Sequence, residues 1–105
     1  MQNDILTCRE LYNSGLDTGA YVINMVPGTF TARLVLKADG RDTRMLRLFF
    51  DFEDGRNIIT PVFSWQNYFS LKDVPIGSIV SLTYEDIKQG IFLTKAEVIE
   101  TPGRN

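Results

Sequence analysis

Between Thr29 and Glu100 five short apolar runs alternate with the turn signals Asp39-Gly40, Asp54-Gly55, Pro75-Ile76-Gly77 and Gln89-Gly90. Short runs with a two-residue period are half-buried strands, because successive side chains of a strand point to opposite faces. In Thr29 to Ala38, Phe30, Ala32, Leu34 and Leu36 share one parity and are expected to face a core, with Thr31, Arg33, Val35 and Lys37 turned outwards. In Met45 to Phe52 the inward set is Leu46, Leu48, Phe50 and Phe52, and the outward set is Met45, Arg47, Phe49 and Asp51. Asn57 to Trp65 leaves the choice open: Ile58, Thr60 and Val62 compete with Ile59, Phe63 and Trp65, and Pro61 marks an edge or a bulge. Ile79 to Tyr84 and Ile91 to Ile99 form a hairpin joined through Glu85 to Gly90, with Val80, Leu82 and Tyr84 on one parity.

The connection Gln66 to Gly77 is long enough for one or two helical turns. The expected order is therefore strand, strand, strand, helix, strand, strand: an all-β chain with short helices, five or six strands closing as a small barrel. Ahead of the strands, Asn3 or Asp4 can cap a helix from Ile5 to Asn13 that stops near Gly15, with Ile5, Cys8, Leu11 and Tyr12 on one side. Ala20 to Val26 is a candidate additional strand, and Pro27-Gly28 suits the centre of a type II turn. The chain divides into a helical appendage over 1–18, a barrel over 19–100 and a frayed tail over 101–105, with no internal repeat or linker.

Composition narrows the function. One compact core is what 105 residues with a 44% apolar fraction can build, and no second domain fits. A formal charge of −2 does not announce nucleic acid, yet Arg33, Lys37, Arg41, Arg44 and Arg47 fall within a stretch whose only acids are Asp39 and Asp42. The single cysteine, Cys8, excludes an internal disulfide and reads as a small buried hydrophobe. With no secretory apolar region and no long apolar span, it points to a reducing, cytoplasmic setting.

Catalysis finds few candidates. With no histidine and one cysteine there is no Ser-His or Cys-His pair, no imidazole metal site and no cysteine-rich zinc site. The acids gather at turns, in Asp51-Phe52-Glu53-Asp54-Gly55 and Glu85-Asp86, where turn roles account for them; the first cluster lacks the closing glutamate of a calcium loop. No phosphate-cradling glycine loop is present. The expectation is a chain that is not an enzyme and carries no cofactor or metal.

The run order and turn placement from Gly28-Thr29-Phe30-Thr31-Ala32-Arg33-Leu34 through Ile91-Phe92-Leu93-Thr94-Lys95-Ala96-Glu97-Val98 resemble the oligonucleotide/oligosaccharide-binding (OB) fold over about seventy residues. Val74-Pro75-Ile76-Gly77-Ser78-Ile79-Val80-Ser81-Leu82 looks like the start of its fourth strand. Small barrels of the SH3 or translation-factor kind also fit the strand count. The resemblance implies single-stranded nucleic acid, DNA before RNA, and an accessory role in replication or recombination. Parity places Arg33, Lys37, Arg47 and Phe49 on the outer surface, and Arg41 and Arg44 lie in the first loop. The cations would hold phosphates, and Phe49, Phe63 and Trp65 would stack bases at ~1–3 kcal/mol each. Asp39, Asp42, Asp51, Glu53 and Asp54 oppose such binding. Plainer roles stand beside these: arginines that keep strand faces soluble, Phe49 packed under the N-terminal helix, and Trp65, Tyr68 and Phe69 plugging the barrel bottom. The alternative function is a protein-interaction subunit. It would use an outward apolar patch of Val35, Phe49 and Ile59, or an exposed first or last strand that pairs edge to edge with a second copy as a homodimer.

Overall fold

The computed structural model describes residues 5–23, 25–39, 46–62, 71, 73–88 and 90–102. The strands are β1 (Ile5–Leu6), β2 (Gly28–Asp39), β3 (Leu46–Phe52), β4 (Asn57–Val62), β5 (Ile79–Ile87) and β6 (Gly90–Glu100). A helix α1 (Cys8–Asn13) and a 3-10 turn (Thr18–Ala20) precede β2. The sheet runs β4-β3-β2-β5-β6 with every neighbour antiparallel, and β1 lies parallel to the far end of β2. β2 is long enough to serve two neighbours on one side, β5 through Gly28–Arg33 and β1 through Lys37 and Ala38. Among the described residues β4 and β6 end the sheet and do not pair with each other.

One face holds a single core fed by all five long strands. Ala32 and Leu34, Leu48, Phe50 and Phe52, Ile58, and Val80, Leu82 and Tyr84 are buried in it together, with Leu93 and Ala96 of β6 packed alongside. The expected parities of β3 and β5 therefore hold, and Ile58 with Thr60 settles the open choice in β4. Leu71 and Val74, from the connection between β4 and β5, close over this core. The helix expected there falls mainly on residues outside the described ones. A buried polar pair, Thr60 Oγ1 to Tyr84 Oη at 2.6 Å, satisfies two hydroxyls the core would otherwise strand. At the rim Arg56 lies over the rings of Phe30 and Phe52, 5.0 and 5.3 Å from their centroids, and forks onto Asp54.

β2 departs from its expected parity halfway along. Leu34 stands opposite Phe50 but Leu36 opposite Phe49, so Val35 is an extra residue, a β-bulge. Since the side-chain period is two, one inserted residue exchanges the faces of everything beyond it. Leu36 and Ala38 pass to the outer face, and Lys37, opposite Leu48, enters the core face. A type II turn is registered to the same place: Ser78 N–H donates to the Pro75 carbonyl at 3.1 Å, with Gly77 at φ 94°. Gly77 N–H donates to the Leu34 carbonyl at 2.8 Å, and Leu34 N–H to the Ser78 carbonyl at 2.9 Å. The hairpin between β5 and β6 is tighter than expected, with Ile87 paired to Gly90 and Lys88 at φ 49°.

The N-terminal region also departs from expectation. The helix begins at Cys8 rather than Ile5, because Ile5 and Leu6 pair with β2. Its start is fixed by a capping box: Thr7 Oγ1 accepts from Glu10 N at 3.1 Å, and the Glu10 carboxylate accepts from Thr7 N at 3.0 Å. The candidate strand over Ala20 to Val26 reduces to one bridge, where Val22 N–H donates to the Asn57 carbonyl at 3.0 Å and Ile59 N–H donates to the Val22 carbonyl at 2.9 Å. No helix among the described residues is long and apolar enough to cross a membrane.

Candidate binding surfaces

The outer face of the sheet divides into two halves. Over β3 and β4 it is covered by the chain itself: Leu11, Ala38 and Phe49 form a second, smaller core, with Leu6, Leu16, Tyr21, Val35, Leu36 and Ile59 packed against it. The Tyr21 ring meets Phe49 edge to face, centroids 5.4 Å apart. Tyr21 Oη donates to Asp51 Oδ1 at 2.6 Å, and Asn57 Nδ2 donates to the same oxygen at 2.8 Å. Burial, then the Asp51 hydrogen bond, then the charge of Asp51 push the Tyr21 hydroxyl up to about 12.

This cover decides the fate of the expected binding residues. Arg33 is exposed, with Nη1 3.4 Å from the Gly77 carbonyl, and its cross-strand neighbour in β3 is the acid Asp51. Arg47, half-buried, stands between Ala38 and Pro61 in register. Asp51 and Arg47 are four positions apart along β3, ~13 Å at the usual strand rise, and Phe49 with its cover lies between them. Arg33 and Arg47 thus share a face without forming a continuous basic groove. Lys37 is a correction: it is 1% exposed, with Nζ donating to the Val74 carbonyl at 2.7 Å, because the bulge turned it inwards. Phe49 is another, at 1% exposure under the N-terminal segment, where no base can stack on it. The proposed apolar patch of Val35, Phe49 and Ile59 is covered by the same segment and is not outward-facing. Arg41, Arg44, Phe63 and Trp65 lie outside the described residues.

The half over β5 and β6 has no such cover among the described residues. Its outer rows carry hydroxyls and mixed charge: Thr29 Oγ1 lies 3.1 Å from Thr83 Oγ1, Thr94 Oγ1 donates to Glu85 Oε2 at 2.9 Å, and Lys95 Nζ sits 3.5 Å from Glu97 Oε2. Phe92 is 43% exposed and Ile99 57%. Among the described residues no strand pairs with β6 on the side away from β5. Bulges at Thr94 and Ile99 confine the regular part of the edge to Lys95–Val98. In the sequence, the long β-prone run Gly90–Glu100 is the signal for this strand.

Arg56 holds the Asp54 carboxyl below the ordinary carboxylate range by its hydrogen bonds, the side-chain one foremost. This pairing fixes the β3–β4 turn and leaves neither group as a ligand donor. No protein-family model, no curated protein and no solved structure matches the chain.

Proposed function

We propose that this chain is a non-catalytic interaction module of OB-like strand order that takes up a strand of a protein partner at the Lys95–Val98 stretch of β6. One observation carries the reading. Val22 occupies the β4 edge, whereas along Lys95–Val98 no described strand pairs with β6 on the side away from β5. Added strands gain affinity from main-chain hydrogen bonds and specificity from alternate side chains. Here those side chains include Phe92, Lys95, Glu97, Val98 and Ile99. The test is a photo-crosslinking residue placed at Phe92, with Glu53 in the β3–β4 turn as control, activated in the cells that make the protein. Protein adducts from position 92 alone are expected; their absence sinks the reading.

A second reading, single-stranded nucleic acid bound as an accessory step in DNA replication or recombination, is favoured by one observation: Arg33 and Arg47 share the outer face, with the Arg41 and Arg44 loop joining β2 to β3. Anisotropy of a labelled oligonucleotide tests it, since binding through phosphates must weaken with salt. Binding that ignores salt, or none, removes this reading. The Asp51 carboxylate opposite Arg33 is the reason to place it second.

A further inference from the structure

Resting on the edge-docking reading, we infer that the strand received at Lys95–Val98 is a short amphipathic one, antiparallel to β6, that reads apolar, basic, large apolar, acidic from its N-terminal end. Its two faces meet two different surfaces. In register, Ala96 stands opposite Leu82 and Val98 opposite Val80, so both lie on the core face. Burial falls away there within one strand spacing: Val80 is 0% exposed and Val98 46%. Protein interiors are close-packed, so a row of the core that ends on a half-exposed valine gains from apolar side chains set beside it. A residue opposite Val98 covers that valine, and one opposite Ala96, the smaller side chain of the two, has room to be large.

The outer face asks for charge. Lys95 and Glu97 stand opposite Thr83 and Ser81 of β5, and their side chains are 63% and 62% exposed. Their mutual contact, 3.5 Å at the surface, is of the kind that contributes little, so it gives way readily to cross-strand partners. An acid opposite Lys95 and a base opposite Glu97 complete two such pairs, whereas the reversed order sets like charges against each other. Antiparallel pairing follows the rest of the sheet, in which every long strand runs opposite to its neighbours. The bulges at Thr94 and Ile99 limit the regular ladder to Lys95–Val98, which makes the association weak and reversible. The other edge offers no equivalent place: Val22 uses the outward groups of Asn57 and Ile59, and the next residue turned that way, Pro61, has no N–H.

Two capped peptides test the order of charges, Thr-Val-Lys-Ile-Glu-Thr and its swapped form Thr-Val-Glu-Ile-Lys-Thr, titrated at low salt while the backbone amide signals of the whole chain are followed by NMR. The first is expected to shift the amides of Lys95–Val98 and to bind about tenfold more tightly than the second. In the double variant Lys95→Glu with Glu97→Lys, which keeps the net charge and the internal ion pair, the preference is expected to reverse; a melting scan verifies that this variant is folded. Equal binding of the two peptides, a preference that survives the double reversal, shifts confined to another surface, or no binding at millimolar peptide overturns the proposal. Protein adducts from position 92 alongside such a result remove only the chemistry assigned to the strand; the absence of adducts as well removes the edge-docking reading.

Discussion

The two halves of the outer sheet face are built from the same kind of strand and end differently. Over β3 and β4, alternate positions carry Phe49, Ile59 and, beyond the bulge, Ala38, and a chain segment from Leu6 to Val22 covers them and seals the edge. Over β5 and β6 the equivalent positions carry Ser81, Thr83, Lys95 and Glu97, and among the described residues no such cover forms. Apolar side chains on an outer face call for a cover, and the N-terminal segment supplies it where they are dense. The half with hydroxyls and charges at those positions does without that cover.

The strongest way to break this contrast is to truncate its covered side. Phe49→Ala removes a ring that is buried against Tyr21 and Leu11, and is expected to cost ~3–5 kcal/mol in chemical denaturation. A cost near that of an exposed phenylalanine would mean the second core contributes nothing. Leu48→Ala, on the opposite face of the same strand, is expected to cost ~2–5 kcal/mol, so the two faces of β3 should prove comparably buried.

Alkaline titration probes both faces together. The Tyr21 and Tyr84 hydroxyls are each pushed from 10.0 up to about 12, by burial first, with Tyr84 drawn part of the way back by the Thr60 hydrogen bond and the charge of Arg56. The folded state binds these protons more tightly than the unfolded chain. The stability they contribute is therefore fully present below pH 10.0 and is lost as pH rises towards about 12. Denaturant midpoints should fall across that window, and Tyr21→Phe should lessen the fall. A midpoint that stays level to pH 12 would show the hydroxyls titrating freely. At neutral pH Tyr21→Phe leaves the ring in place and removes only the bond to Asp51, at a cost of about 1 kcal/mol.

How much of this was readable in advance depends on what each signal encodes. Strict alternation in β3 and β5 correctly assigns Leu48, Phe50, Val80 and Leu82 to the core, because nothing interrupts the two-residue period there. The same rule fails beyond Val35. A bulge has no composition of its own in Leu34-Val35-Leu36, where three apolar residues in a row accommodate either register. The two-residue period carried across that point turns Lys37 outwards, whereas the bulge turns it inwards. Phe49 was misread for another reason: parity separates the two faces of a strand but does not say whether the outer one meets water or another part of the chain. A better clue lay in Thr7-Cys8-Arg9-Glu10, a capping box that starts α1 later than Asn3 or Asp4 would and leaves Ile5 and Leu6 free to pair with β2.

The smallest expected effect bears most directly on the open side. Phe92→Ala removes as large a ring as Phe49→Ala, from an edge strand, outside both buried clusters. If nothing in the isolated chain covers it, stability should change by no more than ~0.5 kcal/mol. A loss of several kcal/mol would mean that Phe92 already has a cover, and the β6 side would then be as closed as the β3 side. The two rings are chemically identical and occupy opposite ends of one sheet. The difference between their truncation costs therefore measures directly what the N-terminal segment contributes by folding over one half and leaving the other.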